Sequence, residues 1–584
     1  MSLFPKFPNL QKACRISRPF LSTTPSALSS TGHRSYHAEA SMPTLPADKD
    51  WNSRDDFFSF TRGRFVVDEA DQIARRYIKF NMNELARIAA ESVGAKVCVT
   101  VEKCPDGMYN KNFVLTMDDG QEIIAKVPNP NAGIPCLTTA SEVATMDFVR
   151  NVLGTPAPKV YSWDSRATNS VGAEYIIMEK VPGVQLRQVW DNMKLVDKMN
   201  LRLDMARHQS AWLSVSFSQF GGLYYTQDLA HVPRENHLYR NTKGDKIWDE
   251  RFAIGPVTGR DWFDCGRVRL DCDRGPWPSV YNYYKAIGLR EKLAISTLTP
   301  LPKQTVMVCG PGLYQPERRK KLSAVEEYLQ VLDALLPTES ETITTPYLWH
   351  DDLHDENIFV DPNNPSKVVG IIDWQSVNLL PLLDHNPDPA FIGYRGPEPE
   401  TLDRPELEDT KGLSEIEKAE AISQYHEKAL FIASRKIALK RTPAAYDAIK
   451  YRQTEAFDLL VLGRRLLEFG EAHFHALMVG LRDAWSKLPA NKGSKLPRPF
   501  PIMLDNERLA EIEEDGEKAM RGMQIMNSFK ARLGPLWPDK DAVEHEQYEA
   551  AKVALRELKE EIVQDFGKTE KDKTELARQW PFDD

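Results

Sequence analysis

The chain has 584 residues, 42% of them hydrophobic, which is enough to bury a sizeable core and to form more than one domain. Its formal net charge of −9 at pH 7 argues against a general nucleic-acid binder, whose surface would be basic. Seven scattered cysteines without a C-x-x-C spacing indicate free thiols in a reducing compartment, and no apolar run is long enough to span a bilayer.

The N-terminal segment differs in composition from the rest of the chain. Residues 1–38 contain no acidic side chain and carry basic residues among many Ser, Thr and Leu, namely Lys6, Lys12, Arg15, Arg18 and Arg34. This profile is typical of a mitochondrial transit peptide, which we expect over 1–36 with cleavage after Tyr36 and a linker over 37–50. It predicts a mitochondrial protein of the matrix; a disordered basic tail is the alternative.

The next part of the chain predicts a sheet with helices before and after it. The expected elements are two helices at 68–80 and 83–93, strands at 97–101, 112–117 and 121–127, a helix at 141–153 and a strand at 176–179. Lys126 lies in the apolar third strand, and Glu142 shares a helical face with apolar residues. We therefore expect these two charges to pair, the alternative being that Lys126 lies on an exposed strand face.

The segment YLWHDDLHDENIFVDPNNPSKVVGIIDWQ at 347–375 carries the densest set of reactive side chains. It predicts an antiparallel hairpin with strands at 357–360 and 368–372. In such a hairpin Asn357 and Asp373 lie at the same end and could offer oxygen ligands to Mg²⁺. Asp352, in the preceding loop, is a candidate general base, and His350 is expected to brace that loop by hydrogen bonding.

A zinc pair is the rival interpretation of this segment. His350 and His354 have the spacing H-x-x-x-H, which aligns two imidazoles only on a helix. The flanking residues are strand-like and no glutamate follows His350, so zinc is disfavoured.

The order His350, Asp352, Asn357 and Asp373 matches the kinase pattern H-x-D-x-x-x-x-N followed by a metal-binding aspartate. With His354 and the Asp373-Trp374 pair, the segment resembles the aminoglycoside phosphotransferase and choline kinase superfamily. FFSFTRGRF at 57–65 and FNMNELARIAA at 80–90 resemble fungal mitochondrial proteins of that superfamily.

The resemblance implies an α+β, bilobal protein kinase-like fold with a helical C-terminal extension. The N-lobe would span 51–180 with an N-terminal helical decoration, the C-lobe 181–400, and the helical C-terminal part 401–584. It further implies ATP and Mg²⁺ as cofactors. Lys126, held by Glu142, would bind phosphates, Asn357 and Asp373 would hold the metal, and Asp352 would take the proton of a hydroxyl. The expected acceptor is a small molecule that the sequence does not identify.

Three positions depart from the superfamily pattern. Asp351 stands where a small residue or proline is common, Gln375 stands where an acid is common, and the loop at 104–111 has one glycine instead of G-x-G-x-x-G. The first two leave the core roles intact, and the glycine-poor loop together with Gln375 supports a second hypothesis. The alternative is therefore a catalytically silent, kinase-like nucleotide-binding or scaffold protein in mitochondrial maintenance.

Outside these motifs the sequence predicts mostly helices. We expect helices at 414–439, 455–485 and 542–566, the last one a solvated, charged helix. The segment at 262–277 is expected to be an irregular surface insertion, with a pocket lining as the alternative.

Overall fold

The computed structural model describes residues 50–230, 236–337, 341–394, 396–407, 410–488 and 499–583. The predicted transit peptide at 1–36 and the linker up to residue 49 lie outside these residues. Among the described helices, none combines the length and the apolar character that a membrane crossing requires.

The described strands are β1 Arg64–Phe65, β2 Cys98–Lys103, β3 Asn110–Met117, β4 Glu122–Pro128, β5 Val160–Asp164, β6 Tyr175–Glu179, β7 Val184–Gln185, β8 Ser216–Phe217, β9 Gly222–Tyr225, β10 Tyr239–Arg240, β11 Lys246–Ile247, β12 Phe252–Gly255, β13 Pro346–Leu348, β14 Ile358–Asp361, β15 Asn364–Ile371, β16 Leu379–Pro381 and β17 Ala542–Val543. The α-helices are α1 Glu69–Ala74, α2 Met82–Val93, α3 Leu137–Asn151, α4 Leu186–Trp190, α5 Leu195–Trp212, α6 Val280–Thr297, α7 Arg318–Leu335, α8 Glu341–Thr344, α9 Glu415–Arg441, α10 Pro443–Tyr451, α11 Glu455–Gly463, α12 Glu471–Ala484, α13 Asn506–Leu533, α14 Tyr548–Phe566 and α15 Glu570–Gln579.

A small lobe is built on an antiparallel sheet with the strand order β2-β3-β4-β6-β5. The N-terminal decoration packs on this sheet: Phe58 and Phe113 both contact the Phe80 ring edge-on, with centroids 5.2 and 6.0 Å away. Each buried phenylalanine contributes about 1.5–3 kcal/mol to the stability of this lobe. The helix predicted at 68–80 ends earlier, at Ala74, because Phe80 is drawn into the sheet core.

A larger, mainly helical lobe follows the turn after β6, and it contains the predicted hairpin as β14 and β15. The structure confirms an α+β fold with a small antiparallel-sheet lobe and a large helical lobe. The close approach of the chain before β7 to β14 requires Gly183, which has φ +96° and whose added Cβ would lie 2.4 Å from the Val360 carbonyl oxygen.

The segment predicted as a surface insertion is instead anchored in the core of the large lobe, although Cys265, Asp271 and Asp273 within it are exposed. Trp262 and Trp277 are 2% and 3% exposed, and Arg267 is fully buried. Arg267 donates to Glu291 Oε1 and Oε2 at 2.8 and 2.9 Å and to Glu468 Oε1 at 2.7 Å. The prediction was wrong for the buried residues of the segment, because the partners of Arg267 lie far away in sequence and are what make burial of the arginine tolerable.

The helix predicted at 455–485 is two helices, α11 and α12, separated by a bend. Two buried cations donate hydrogen bonds to backbone carbonyl oxygens at this bend. Arg290 Nη2 donates to Arg464 O at 2.7 Å, and Lys321 Nζ donates to Leu466 O at 3.0 Å. Gly470, with φ +98°, then begins α12.

The C-terminal part returns to the N-terminal segment. The helix predicted at 542–566 begins only at Tyr548, because Ala542 and Val543 form strand β17, which pairs antiparallel with β1. Helix α14, predicted to be solvated, also has a buried side. Its buried Leu555, Leu558 and Ile562 share a core with Val66 of the N-terminal segment and with Val308 of the large lobe.

Candidate active site

The Lys126 ammonium is held between two carboxylates. It donates to Glu142 Oε1 on α3 at 2.7 Å and to Asp373 Oδ1 after β15 at 2.9 Å. Burial acts to lower the pKa of Lys126, but the two carboxylates outweigh it and raise that pKa above its ordinary value. Partial desolvation acts to raise the pKa of Asp373, yet Lys126 keeps it below its ordinary value. The structure thus brings the expected lysine–glutamate pair into contact with the large-lobe hairpin.

Helix α3, which carries Glu142, is fixed by aromatic contacts with the large lobe. The Phe148 ring lies 5.4 Å from the rings of both Phe217 and Phe252, and 5.7 Å from the ring of Tyr239. Edge-on and tilted contacts of this kind add about 0.5–1.5 kcal/mol each beyond simple burial. Glu142 is therefore held in position by packing between the two lobes.

The hairpin has the register that the sequence predicted. Ile358 pairs with Ile371, and Ile372 N donates to Asn357 O at 3.0 Å, so Asn357 and Asp373 lie at the same end. Asp373 has φ +61°, a left-handed conformation that costs energy in a residue other than glycine. Its carboxylate turns toward Lys126 from this strained position.

His350 braces the loop as expected. Its Nε2 contacts Ile372 O at 2.9 Å, and its Nδ1 accepts from Asp352 N at 3.3 Å, so the neutral ring with the proton on Nε2 satisfies both partners. Burial lowers the pKa of His350, which favours this neutral ring. Both ring nitrogens are engaged by the backbone, which leaves neither of them free to bind zinc.

Asp352 lies in the loop between β13 and β14. Burial, followed by the nearby charge of Asp373, raises the pKa of Asp352 to about 7. A carboxylate with a pKa near the working pH can both accept a proton and release it. His354, whose role the sequence had not indicated, places Nε2 at 3.7 Å from Asp352 Oδ2 and anchors Nδ1 on Glu356 N at 3.2 Å.

Asp351, the first departure from the superfamily pattern, pairs with the buried side chain of His385. Its Oδ2 lies 2.8 Å from His385 Nδ1, and its Oδ1 accepts from Asn386 N at 2.8 Å. His385 Nε2 lies 2.9 Å from Tyr347 O, so both ring nitrogens face acceptors. Burial acts to lower the pKa of His385, but Asp351 outweighs it and raises that pKa, which favours the imidazolium.

Gln375, the second departure, joins the two lobes. Its Oε1 accepts from Asn110 Nδ2 at 2.6 Å, and its Nε2 donates to Ala132 O at 2.8 Å. A glutamate could not make the second bond because it has no donor when ionised. The amide is therefore suited to this position, although nothing local in the sequence indicated it.

The glycine-poor loop at 104–111 is held by the N-terminal segment. Asp106, which is 1% exposed, accepts from Thr61 N and Thr61 Oγ1 at 2.8 Å each and from Lys103 Nζ at 2.6 Å. Lys111 Nζ donates to Ser59 O at 2.7 Å beside it. These contacts fix the conformation of the loop.

The side chains of Asn357 and Asp373 suit a magnesium ion. Asn357 Nδ2 donates to Asp352 O at 3.0 Å, which leaves its carbonyl oxygen as the ligand atom. Asp373 has a second carboxylate oxygen, and its side chain is 41% exposed. Mg²⁺ uses one or two carboxylate or amide oxygens and takes its other ligands from water and phosphates.

Comparisons with known proteins agree with this geometry. The model of the "Phosphotransferase enzyme family" matches residues 302–383, which include the loop and hairpin described above. The resemblance predicted from the sequence is confirmed. The match covers His350, Asp352, Asn357 and Asp373, whereas Lys126 and Glu142 lie outside it.

Curated fungal relatives span most of the chain. A subtelomeric hrmA-associated cluster protein of Aspergillus fumigatus is 28% identical over 83% of this chain and 97% of its own length. Altered inheritance of mitochondria protein 9, mitochondrial, of Lachancea thermotolerans is 25% identical over 80% of this chain and 75% of its own length. Among solved structures, aminoglycoside phosphotransferase APH(4)-Ia is 13% identical with a TM-score of 0.33, covering 74% of this chain and 99% of that one.

Proposed function

We propose that this chain is an ATP- and Mg²⁺-dependent phosphotransferase that transfers the γ-phosphoryl group to a hydroxyl of a small molecule. The observation that carries the proposal is the double contact of Lys126 with Glu142 and Asp373, next to a loop carboxyl with a pKa of about 7. A lysine fixed in this way is suited to the α- and β-phosphates of ATP.

In the proposed reaction Asp352 takes the proton of the acceptor hydroxyl as its oxygen attacks the γ-phosphorus. One P–O bond forms, the bond to the β-phosphate oxygen breaks, and ADP leaves with the electron pair of that bond. Bound Mg²⁺ would neutralise phosphate charge. Asn357 and Asp373 would hold the metal, His350 would keep the loop in place, and Lys126 would orient the phosphates.

We further propose that the protein acts in mitochondria, in the matrix. The acid-free composition of 1–38 and the mitochondrial names of the fungal relatives support this location. The proposed domains are a transit peptide at 1–36, a linker at 37–50, lobes at 51–180 and 181–400, and a helical part at 401–584.

The test is transfer of ³²P from [γ-³²P]ATP to small molecules of a mitochondrial extract by the purified protein. The proposal expects a labelled small molecule that is absent when Asp352→Asn replaces the wild type. Absence of any labelled product from extracts of several growth conditions would contradict it.

A silent nucleotide-binding or scaffold protein is the second candidate. The hydrogen bonds of Gln375 to Asn110 and Ala132 favour it, because they tie the lobes together across the cleft that a substrate must enter. A thermal shift measured together with ATP hydrolysis separates the two candidates. ATP·Mg²⁺ at about 100 times its Kd adds about 2.7 kcal/mol to the stability of a binding protein. Binding without any ATP hydrolysis would favour the silent protein.

A further inference from the structure

The C-terminal chain brings a turn at 539–541 to the candidate active site. The pairing of β17 with β1 matches Arg64 with Val543, and Val66 N donates to Asp541 O at 2.8 Å. Lys540 and Asp541 both have left-handed backbones, with φ +52° and +65°. Two consecutive residues other than glycine in this conformation are disfavoured, so the strand pairing holds the turn against its local preference.

The Lys540 ammonium points to the ring of Tyr109, which belongs to the loop at 104–111. Its Nζ lies 5.9 Å from the ring centroid, and the Arg260 guanidinium carbon lies 4.2 Å from the same centroid. Arg260 is already neutralised by Asp264, and it also donates to Asn131 O at 2.6 Å. Three distant parts of the chain thus meet at one aromatic ring.

Of these two cations, Lys540 has no anionic partner among the described residues. Its side chain is exposed, and no hydrogen bond or ion pair joins its ammonium to another residue in the described part of the chain. The Tyr109 ring borders the candidate active site, because the next residue, Asn110, donates its Nδ2 to Gln375 Oε1 at 2.6 Å and Gln375 follows Asp373 by two residues. An acceptor whose hydroxyl meets Asp352 therefore passes beside an ammonium that lacks a counter-charge.

We propose that Lys540 binds an anionic group of the phosphate acceptor, so that the substrate class is a hydroxylated carboxylate or phosphate ester. This inference rests on the proposed phosphotransferase function. An ammonium beside the acceptor binds carboxylate and phosphate oxygens and repels cationic acceptors such as aminoglycosides or choline. Lys540 is then a specificity-determining residue supplied by the C-terminal part of the chain.

The test is a binding measurement on the full chain loaded with ADP and Mg²⁺. Calorimetric titrations compare D-glycerate, glycerol 3-phosphate, gluconate and glucose 6-phosphate with glycerol, glucose and choline. The variants are Lys540→Met and the charge-conserving Lys540→Arg. Lys518→Met, which removes an exposed lysine on α13, is the matched control.

The proposal expects at least one anion to bind the wild type tenfold or more tightly than its neutral counterpart. Lys540→Met loses that advantage, whereas Lys540→Arg and Lys518→Met keep it. The proposal is overturned if no anion is preferred or if the preference survives in Lys540→Met. It is also overturned if Lys540→Met weakens ADP affinity by the same factor, because Lys540 then serves the nucleotide. Failure of the phosphotransferase proposal is distinct, since it would appear as absence of ADP·Mg²⁺ and ATP·Mg²⁺ binding.

Discussion

At the scale of single residues, Asp352 has one chemical role that its neighbours do not share. Asp352→Asn should lower ATP hydrolysis and phosphoryl transfer by about 10²–10⁴-fold, because the amide cannot accept the hydroxyl proton. ATP affinity should change little, since the phosphates are assigned to Lys126 and the metal. Asp355→Asn, in the same loop, is the control, and its activity should match the wild type. Comparable activity in Asp352→Asn and wild type would remove the general-base assignment.

The pair of His385 and Asp351 predicts a pH-dependent stability. The pKa of buried His385 is raised in the folded protein by Asp351, above an unfolded value of about 6.5. The stabilisation is therefore fully present below pH about 6.5 and is lost as the pH rises through the higher folded pKa. Asp351→Asn should lower the free energy of unfolding by about 1–2 kcal/mol at pH 6. The loss is no larger because the Asp351 carboxylate is itself half exposed and partly screened.

Denaturant unfolding of the wild type and Asp351→Asn between pH 6 and pH 9 checks this sign. The difference between the two proteins should shrink as the pH rises. A difference that grows with pH would mean that His385 is neutral in the folded protein.

At the scale of elements, the amide of Gln375 links the loop after β4 to the hairpin. Gln375→Glu should destabilise the protein by about 1–3 kcal/mol, because a carboxylate would face the Ala132 carbonyl without a donor. Thermal unfolding and hydrogen exchange at 129–133 measure the effect, and Gln424→Glu on the exposed face of α9 is the matched control. Equal stability of Gln375→Glu and Gln424→Glu would show that the hydrogen bond of Gln375 to Ala132 contributes nothing to the free energy of unfolding.

Local patterns predicted the elements that carry the chemistry, and they failed where distant partners decide the structure. Alternating apolar residues and a Pro/Asn turn were enough for β14 and β15, and the burial of Lys126 required Glu142. The contacts of Asp351 with His385 and of Gln375 with Ala132 join residues 34 and 243 positions apart. No local pattern encodes such separations, so the sequence showed these residues only as departures from a superfamily pattern.

At the scale of the whole molecule, the C-terminal part fastens the N-terminal segment to the large lobe. An added Cβ at Gly63 would lie 2.5 Å from Val543 O, so Gly63→Ala must separate β1 from β17. We expect a loss of about 1–3 kcal/mol and faster proteolytic removal of the C-terminal part. Gly516→Ala is the control, since an added Cβ there meets nothing within 4 Å. Identical proteolysis of the two variants would contradict the fastening role.

The same arrangement explains why the helical C-terminal part was only partly understood from the sequence. The charged pattern of α14 predicted a helix and a solvated face, and the helix is present. Its apolar side packs against Val66 and Val308, which lie more than 200 residues earlier in the chain, so the local sequence did not show that this side is buried.

The central claim is that Lys126 binds the phosphates of ATP in the cleft between the lobes. Isothermal titration of ATP with and without Mg²⁺ into wild type, Asp352→Asn and Lys126→Met tests it most directly, with thermal unfolding to establish that each variant is folded. The account predicts Mg²⁺-dependent binding of similar strength to wild type and Asp352→Asn, and at least tenfold weaker binding to Lys126→Met. Absence of binding to the wild type, or equal binding to all three proteins, would contradict the account.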